Sequence, residues 1–324
     1  MTKCAESRLR FLPIPLFGSV MGLVGLAVAW MRYDEFLGGD AGLGGPLRWA
    51  VTAWFAFLTL AYLAKAVFHF DAVLEEFRHP VRSNFFPAFS ICFLLLSIAW
   101  LNAAPAAAQV MWWVGAPMHL LFTLVSLSNW LDKKVKIQTL NPAWFIPVVG
   151  NILIPVAGVK IAHPDISWFF FSIGLIYWVA LFTIVLERLV FHDPLPAKLK
   201  PTLFILVAPP AVAFIAWVKL NALETGHPVL DNAGRLLYFF GMFTLLLLFF
   251  RIRPRKTTFF VSWWAYTFPM AAATLSTILM AHITKLDFYH NLAIGLLIAT
   301  TVVNIIVLFA TLRAAIKGEV CVPE

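Results

Sequence analysis

Residues 263–277 read WWAYTFPMAAATLST. Two tryptophans, a tyrosine and a phenylalanine run into Pro269, and small side chains follow, all inside a long apolar stretch. A proline deprives a helix of one backbone donor, frees the carbonyl four residues earlier and disfavours helical geometry at the residue before it, here Phe268. In lipid those freed groups need partners, so a broken helix is tolerated where it packs in protein or faces a wet cavity.

Pro269 is one of a series. Apolar runs long enough to span a bilayer recur along the chain, predicting helices at 13–33, 47–68, 84–102, 107–130, 142–160, 167–187, 201–220, 235–251, 257–281 and 289–312. An even count puts both ends on one side. Inside the odd-numbered spans prolines fall at Pro15, Pro87, Pro147, Pro209 and Pro269, with Pro13, Pro155 and Pro210 beside them. The intervals of 72, 60, 62 and 60 residues describe a repeat of about sixty, each a two-helix hairpin. Among the even-numbered spans only Pro117 lies well inside.

The predicted fold is an all-α integral membrane domain covering 1–324, built of five tandem helical hairpins. Kinked odd-numbered helices form an inner ring around a central pore, and the even-numbered helices face lipid. Residues 1–12 and 313–324 are short tails. Five helices roughly 10 Å across leave a gap of roughly 7 Å, enough for a small ion and small enough for one aromatic ring to close.

Composition agrees. The chain is 61% hydrophobic and 12% charged, with a mean hydropathy of +0.86, outside the range of soluble globular domains. No sustained alternation of period two supports a barrel. Lys3, Arg8 and Arg10 precede the run from Phe11 to Met31 as in a signal peptide, but the run is long and lacks a clear cleavage site, so it reads as a retained first span. Of the 24 lysines and arginines, eighteen fall on the side of the termini; the six opposite are Arg32, Arg48, Lys160, Lys219, Arg235 and Lys285. By the positive-inside rule both termini are cytoplasmic, in the inner (plasma) membrane. The net charge of +8 is thereby explained by topology rather than by nucleic acid.

The polar inventory argues against chemistry inside the membrane. Acidic residues fall at helix ends or in loops, and His119 is the one histidine clearly within a span, read as a packed, hydrogen-bonded side chain. Cys4, Cys92 and Cys321 give neither a disulfide framework nor a metal spacing. Catalytic and phosphate-cradling motifs are missing, so no enzyme and no cofactor is expected. Neutral pore walls with cations at the inner mouth favour an anion. Arg82, Arg251, Arg253, Arg255 and Lys256 are the candidate cytoplasmic funnel. Gly18, Gly22, Gly25, Gly150 and Ala271, Ala272 and Ala273 let helices approach closely or keep a path open.

LPIPLFGSVMGLVGLAVAW at 12–30, HPVR at 79–82, NPAWFIPVVGN at 141–151, LVAPPAVAF at 206–214 and WWAYTFP at 263–269 stand in a fixed order along the ten spans. In these the chain resembles the family of bacterial tellurite-resistance proteins and plant slow anion channels, which also contains fungal dicarboxylate and sulfite transporters. The resemblance implies a homotrimer with one pore per protomer, five kinked inner helices and five outer ones. It also implies a pore-occluding phenylalanine matching Phe268 and a pore-lining glycine matching Gly18. Plant members carry long regulatory tails, whereas about a dozen residues stand at each end here. The expected function is a channel for small inorganic anions such as chloride and nitrate, gated at Phe268. The alternative is a carrier or exporter of dicarboxylate, sulfite or tellurite-like oxyanions.

Overall fold

The computed structural model describes residues 8–132, 136–251 and 258–322, and regular structure among them is helical throughout. Among the described residues, ten helices are long and apolar enough to cross a membrane: Ile14–Phe36, Gly44–Phe68, Arg82–Trp100, Pro105–Leu131, Pro142–Ile161, Pro164–Phe191, Ala197–Thr225, Asn232–Arg251, Val261–Thr284 and Asp287–Ile316. They are called the first to tenth spans below. A short helix not among those expected, Phe70–Arg78, joins the second span to the third.

The two sets of spans are buried to different degrees. In the central apolar stretch of each odd-numbered span 72–83% of positions are buried, against 22–39% in the even-numbered spans. Packing accounts for the difference. The first span packs on the third, the third on the fifth, the fifth on the seventh, the seventh on the ninth, and the ninth back on the first. Each even-numbered span packs on the odd-numbered span before it and on the next one around this cycle. Its remaining face is bare and apolar, as Leu246 and the 88%-exposed Phe250 of the eighth span show.

Because lipid tails are as apolar as leucine, burying hydrophobic surface does little to hold such helices together; close approach and buried polar contacts must do it. Between the first and ninth spans, a methyl group added at Gly22 would lie 1.9 Å from Thr267 Oγ1, and one at Gly25 would lie 2.7 Å from Ala271 Cβ. Only hydrogen fits at these two positions.

The prolines sit where helix type changes. Each odd-numbered span begins as a 3-10 helix, at Ile14–Leu16, Arg82–Phe85, Pro142–Phe145, Ala197–Val207 and Val261–Tyr266. Each then passes into an α-helix starting within two residues of Pro15, Pro87, Pro147, Pro209 or Pro269. In the first turn of an α-helix the amide hydrogen has no intrahelical acceptor, so proline costs little there and its fixed φ suits the turn. The expectation that Pro269 drives its neighbour out of helical geometry is corrected: Phe268 lies inside the α-helix Thr267–Thr284.

Carbonyls near these junctions are satisfied from neighbouring spans. Thr123 Oγ1 of the fourth span donates to Pro147 O at 2.8 Å, and Asn151 Nδ2 donates to the same oxygen at 3.0 Å. His119, fully buried, lies between the third and fifth spans, with Nε2 2.9 Å from Pro147 O and Nδ1 2.8 Å from Ser90 Oγ. Gly150 leaves room for this ring, since a Cβ there would lie 2.1 Å from His119 Cε1. His119 is thus a packed, hydrogen-bonded side chain, as its sequence context suggests.

A second buried network fixes the start of the first span. Lys65 Nζ donates to Glu76 Oε2 at 2.7 Å and to Leu12 O at 2.8 Å. Tyr62 donates to the same carboxylate at 2.7 Å, and the Ile14 amide donates to its other oxygen at 3.3 Å. Lys65, which the sequence suggests is a charged flank of the second span, is 1% exposed and paired. Removing one partner of such a pair is costly because the other charge stays buried.

Candidate functional site

The cycle of odd-numbered spans encloses two cavities. The one nearer the termini, here the proximal cavity, measures about 60 Å³ and takes lining residues from all five odd-numbered spans, among them Gly18, Ala88, Val149, Ala208 and Ala265. Among the described residues, Ser262 is its one lining residue with a hydroxyl, and none of its lining residues is ionisable. The distal cavity, toward the opposite end, measures about 260 Å³ and is again lined from all five.

Phe268 and Leu153 are the two residues that line both cavities. Phe268, from the ninth span, is 7% exposed, and Leu153, from the fifth, is 4% exposed. The Phe268 ring lies by the first span, its Cδ2 3.6 Å from where a Cβ on Gly25 would be. A flat ring thus stands between two spaces that are lined by the same five helices.

Other sequence-predicted residues fall around this feature. Gly18, Pro15 and Pro269 line the proximal cavity, and a Cβ on Gly18 would lie 3.3 Å from Trp264 Cβ. Pro87, Pro147 and Pro209 stand at the 3-10 to α junctions without lining either cavity. Arg82 pairs with Glu75, Nη2 to Oε1 at 3.3 Å, and lines neither cavity. Arg251 is exposed at the end of the eighth span. Arg253, Arg255 and Lys256 lie outside the described residues.

Charge gathers instead at the other end. Arg32 and Glu35 of the first span, Lys160 of the fifth, Lys219 of the seventh and His282 of the ninth all line the distal cavity. The expectation of neutral walls is corrected on this side. Arg32 bonds Glu35 and its guanidinium carbon lies 5.5 Å from the Phe36 ring centroid. His282 packs against the same ring at 4.3 Å. Lys160 and Lys219 read in sequence as outer flanks. The seventh span runs to Thr225 rather than stopping at 220, so Lys219 lies six residues before its end instead of one. Leu153 carries no sequence signal, being one apolar residue among many.

A cluster of His, Cys, Asp and Glu able to hold a metal does not occur among the described residues.

Comparison with known proteins agrees with this architecture. Residues 12–312 match the family model SLAC1, described as voltage-dependent anion channel. The chain is 33% identical over 280 residues to the S-type anion channel SLAH2 of Arabidopsis thaliana, covering 83% of this chain and 52% of that protein. It is 28% identical over 328 residues to the guard cell S-type anion channel SLAC1 of the same plant, covering 98% and 58%. The tellurite resistance protein TehA homolog of Haemophilus influenzae is 25% identical over 303 residues, 90% of each chain. The chain thus spans about half the length of the plant relatives it matches and nearly all of the bacterial one. With ten membrane-crossing helices and a match across almost its whole length, it belongs to the voltage-dependent anion channel (SLAC1) family of multi-pass membrane proteins.

Proposed function

We propose that this protein is an anion channel that passes small monovalent anions such as chloride and nitrate through the ring of odd-numbered spans in each protomer. Phe268 is its gate. The observation that carries this reading is the position of Phe268 between two cavities enclosed by the same five helices. The cationic excess of the distal cavity and the names of the plant relatives support an anion as the solute. With no charged group beside Phe268 itself, ions are ranked mainly by how readily they shed water.

The channel sits in the plasma membrane with both termini cytoplasmic, following the eighteen-to-six division of lysines and arginines. The protomers assemble as a homotrimer, each with its own pore.

The test is anion flux through reconstituted protein. Phe268→Ala should increase it, and unchanged flux at equal incorporation would remove Phe268 from the gate. Transport by a proton-coupled carrier of dicarboxylate, sulfite or tellurite-like oxyanions would instead require a pH gradient. Both ring nitrogens of His119 are engaged away from the cavities, which speaks against it as a proton relay.

A further inference from the structure

The distal cavity brings together charges that do not balance. Arg32, Lys160 and Lys219 come from three different spans, and Glu35 is the one carboxylate lining the cavity among the described residues. Glu35 is engaged by Arg32. Lys160 and Lys219 have no hydrogen bond or ion pair among the described residues; Lys160 is exposed and Lys219 is partly buried. Arg32, Glu35, Lys160 and Lys219 share the wall of this one cavity.

Gathering like charges in a concave, low-dielectric setting is unfavourable unless something of opposite sign completes it. For a lysine on an outer loop, water and lipid headgroups would suffice. Here the lysines face a cavity whose far boundary is Phe268, on the route an anion would take.

We propose that Lys219 and Lys160 form an anion-loading site on the distal side of Phe268, where one small monovalent inorganic anion supplies the missing negative charge. The site rests on the channel reading above and names where the solute is first held. Arg32 belongs to its rim, with Glu35 limiting how strongly the anion is retained. A site that holds too tightly would stall conduction, because an ion must leave as readily as it enters.

Two measurements on purified full-length protein test this. The first is the half-saturating chloride concentration for flux in liposomes; the second is the rise in melting temperature of detergent-solubilised protein when sodium chloride replaces sodium gluconate. Lys219→Gln should raise the half-saturating concentration about fivefold, the effect of one unit charge at close range even in a water-like dielectric. Lys160→Gln/Lys219→Gln should also abolish the chloride-dependent rise in melting temperature. Lys219→Arg, which keeps the charge, should preserve both, separating loss of charge from loss of packing. Equal half-saturation and an equal thermal response in the double variant and the parent would overturn the site while leaving the channel standing. Should neither the parent nor Phe268→Ala conduct, the channel reading fails. The thermal response then decides the site alone: its loss in the double variant supports an anion site, and its persistence overturns one.

Discussion

On the terminal side of Phe268 lies a cavity of about 60 Å³ with an almost wholly apolar lining, set among prolines and the small residues Gly18, Ala88 and Gly150. On the far side lies one of about 260 Å³ that carries Arg32, Glu35, Lys160, Lys219 and His282. The same five helices build both, so the contrast comes from what each helix places at its two ends. At the terminal end the helices are 3-10 turns and prolines that draw the wall inward with small or rigid residues. At the distal end they are regular α-helix, and three of them carry Arg32, Lys160 and Lys219 in their distal halves. The narrow half has the means to exclude, and the wide half has the means to attract. Phe268 and Leu153 stand at the boundary between them.

The sharpest way to break this comparison is Gly18→Asp. It puts bulk and a negative charge into the narrow cavity, and a carboxylate at membrane depth costs about 3 kcal/mol, so flux should fall by more than about a hundredfold. Flux retained in liposomes at equal incorporation would mean that the path avoids the proximal cavity. Phe268→Ala, which joins the two cavities, should raise flux about tenfold, equivalent to removing about 1.4 kcal/mol of barrier. Leu153→Ala opens the same boundary from the opposite wall by removing a smaller, bendable side chain. We expect an increase of about threefold, roughly half that barrier in free energy; no change would assign the boundary to Phe268 alone. His119→Ala should leave flux per folded protein unchanged, because the ring faces neither cavity. It should lower the melting temperature, since two buried hydrogen bonds are lost, each worth about 0.5–1.5 kcal/mol because Ser90 and Pro147 keep other partners. A changed flux there would connect the fourth span to the gate.

Much of the architecture was legible in the order of residues. Ten apolar runs, a sixty-residue proline repeat confined to alternate spans and the asymmetry of lysine and arginine already imply hairpins with inner and outer members. Phe268 stood out as an aromatic beside a repeated proline, but its part as a plug, and the choice of Gly18 among the three glycines of the first span, came from the family resemblance. Lys160 and Lys219 did not stand out. Charges near the ends of spans are expected as topology markers, and which way a terminal turn points depends on the helix's rotation about its axis. A polar face normally reveals that rotation, but the odd-numbered spans are apolar all round because protein packs on them from every side. Leu153 was hidden for the same reason. Arg82 was misleading in the other direction: Glu75, seven residues earlier, reaches it only because Phe70–Arg78 forms a helix.

The sequence by itself determined the number of spans, their pairing into hairpins and which of them are buried. The bilayer enforces those choices residue by residue, through apolar length and the cost of an unsatisfied backbone group. Only the tertiary structure decided which side chains share a cavity. Closing five helices into a ring fixes their rotations together, bringing Lys219, Arg32 and Lys160 to the wall of one cavity and setting Phe268 and Leu153 between two spaces. Those neighbours are separated by tens to more than a hundred positions in the chain, so no local rule of spacing encodes their meeting.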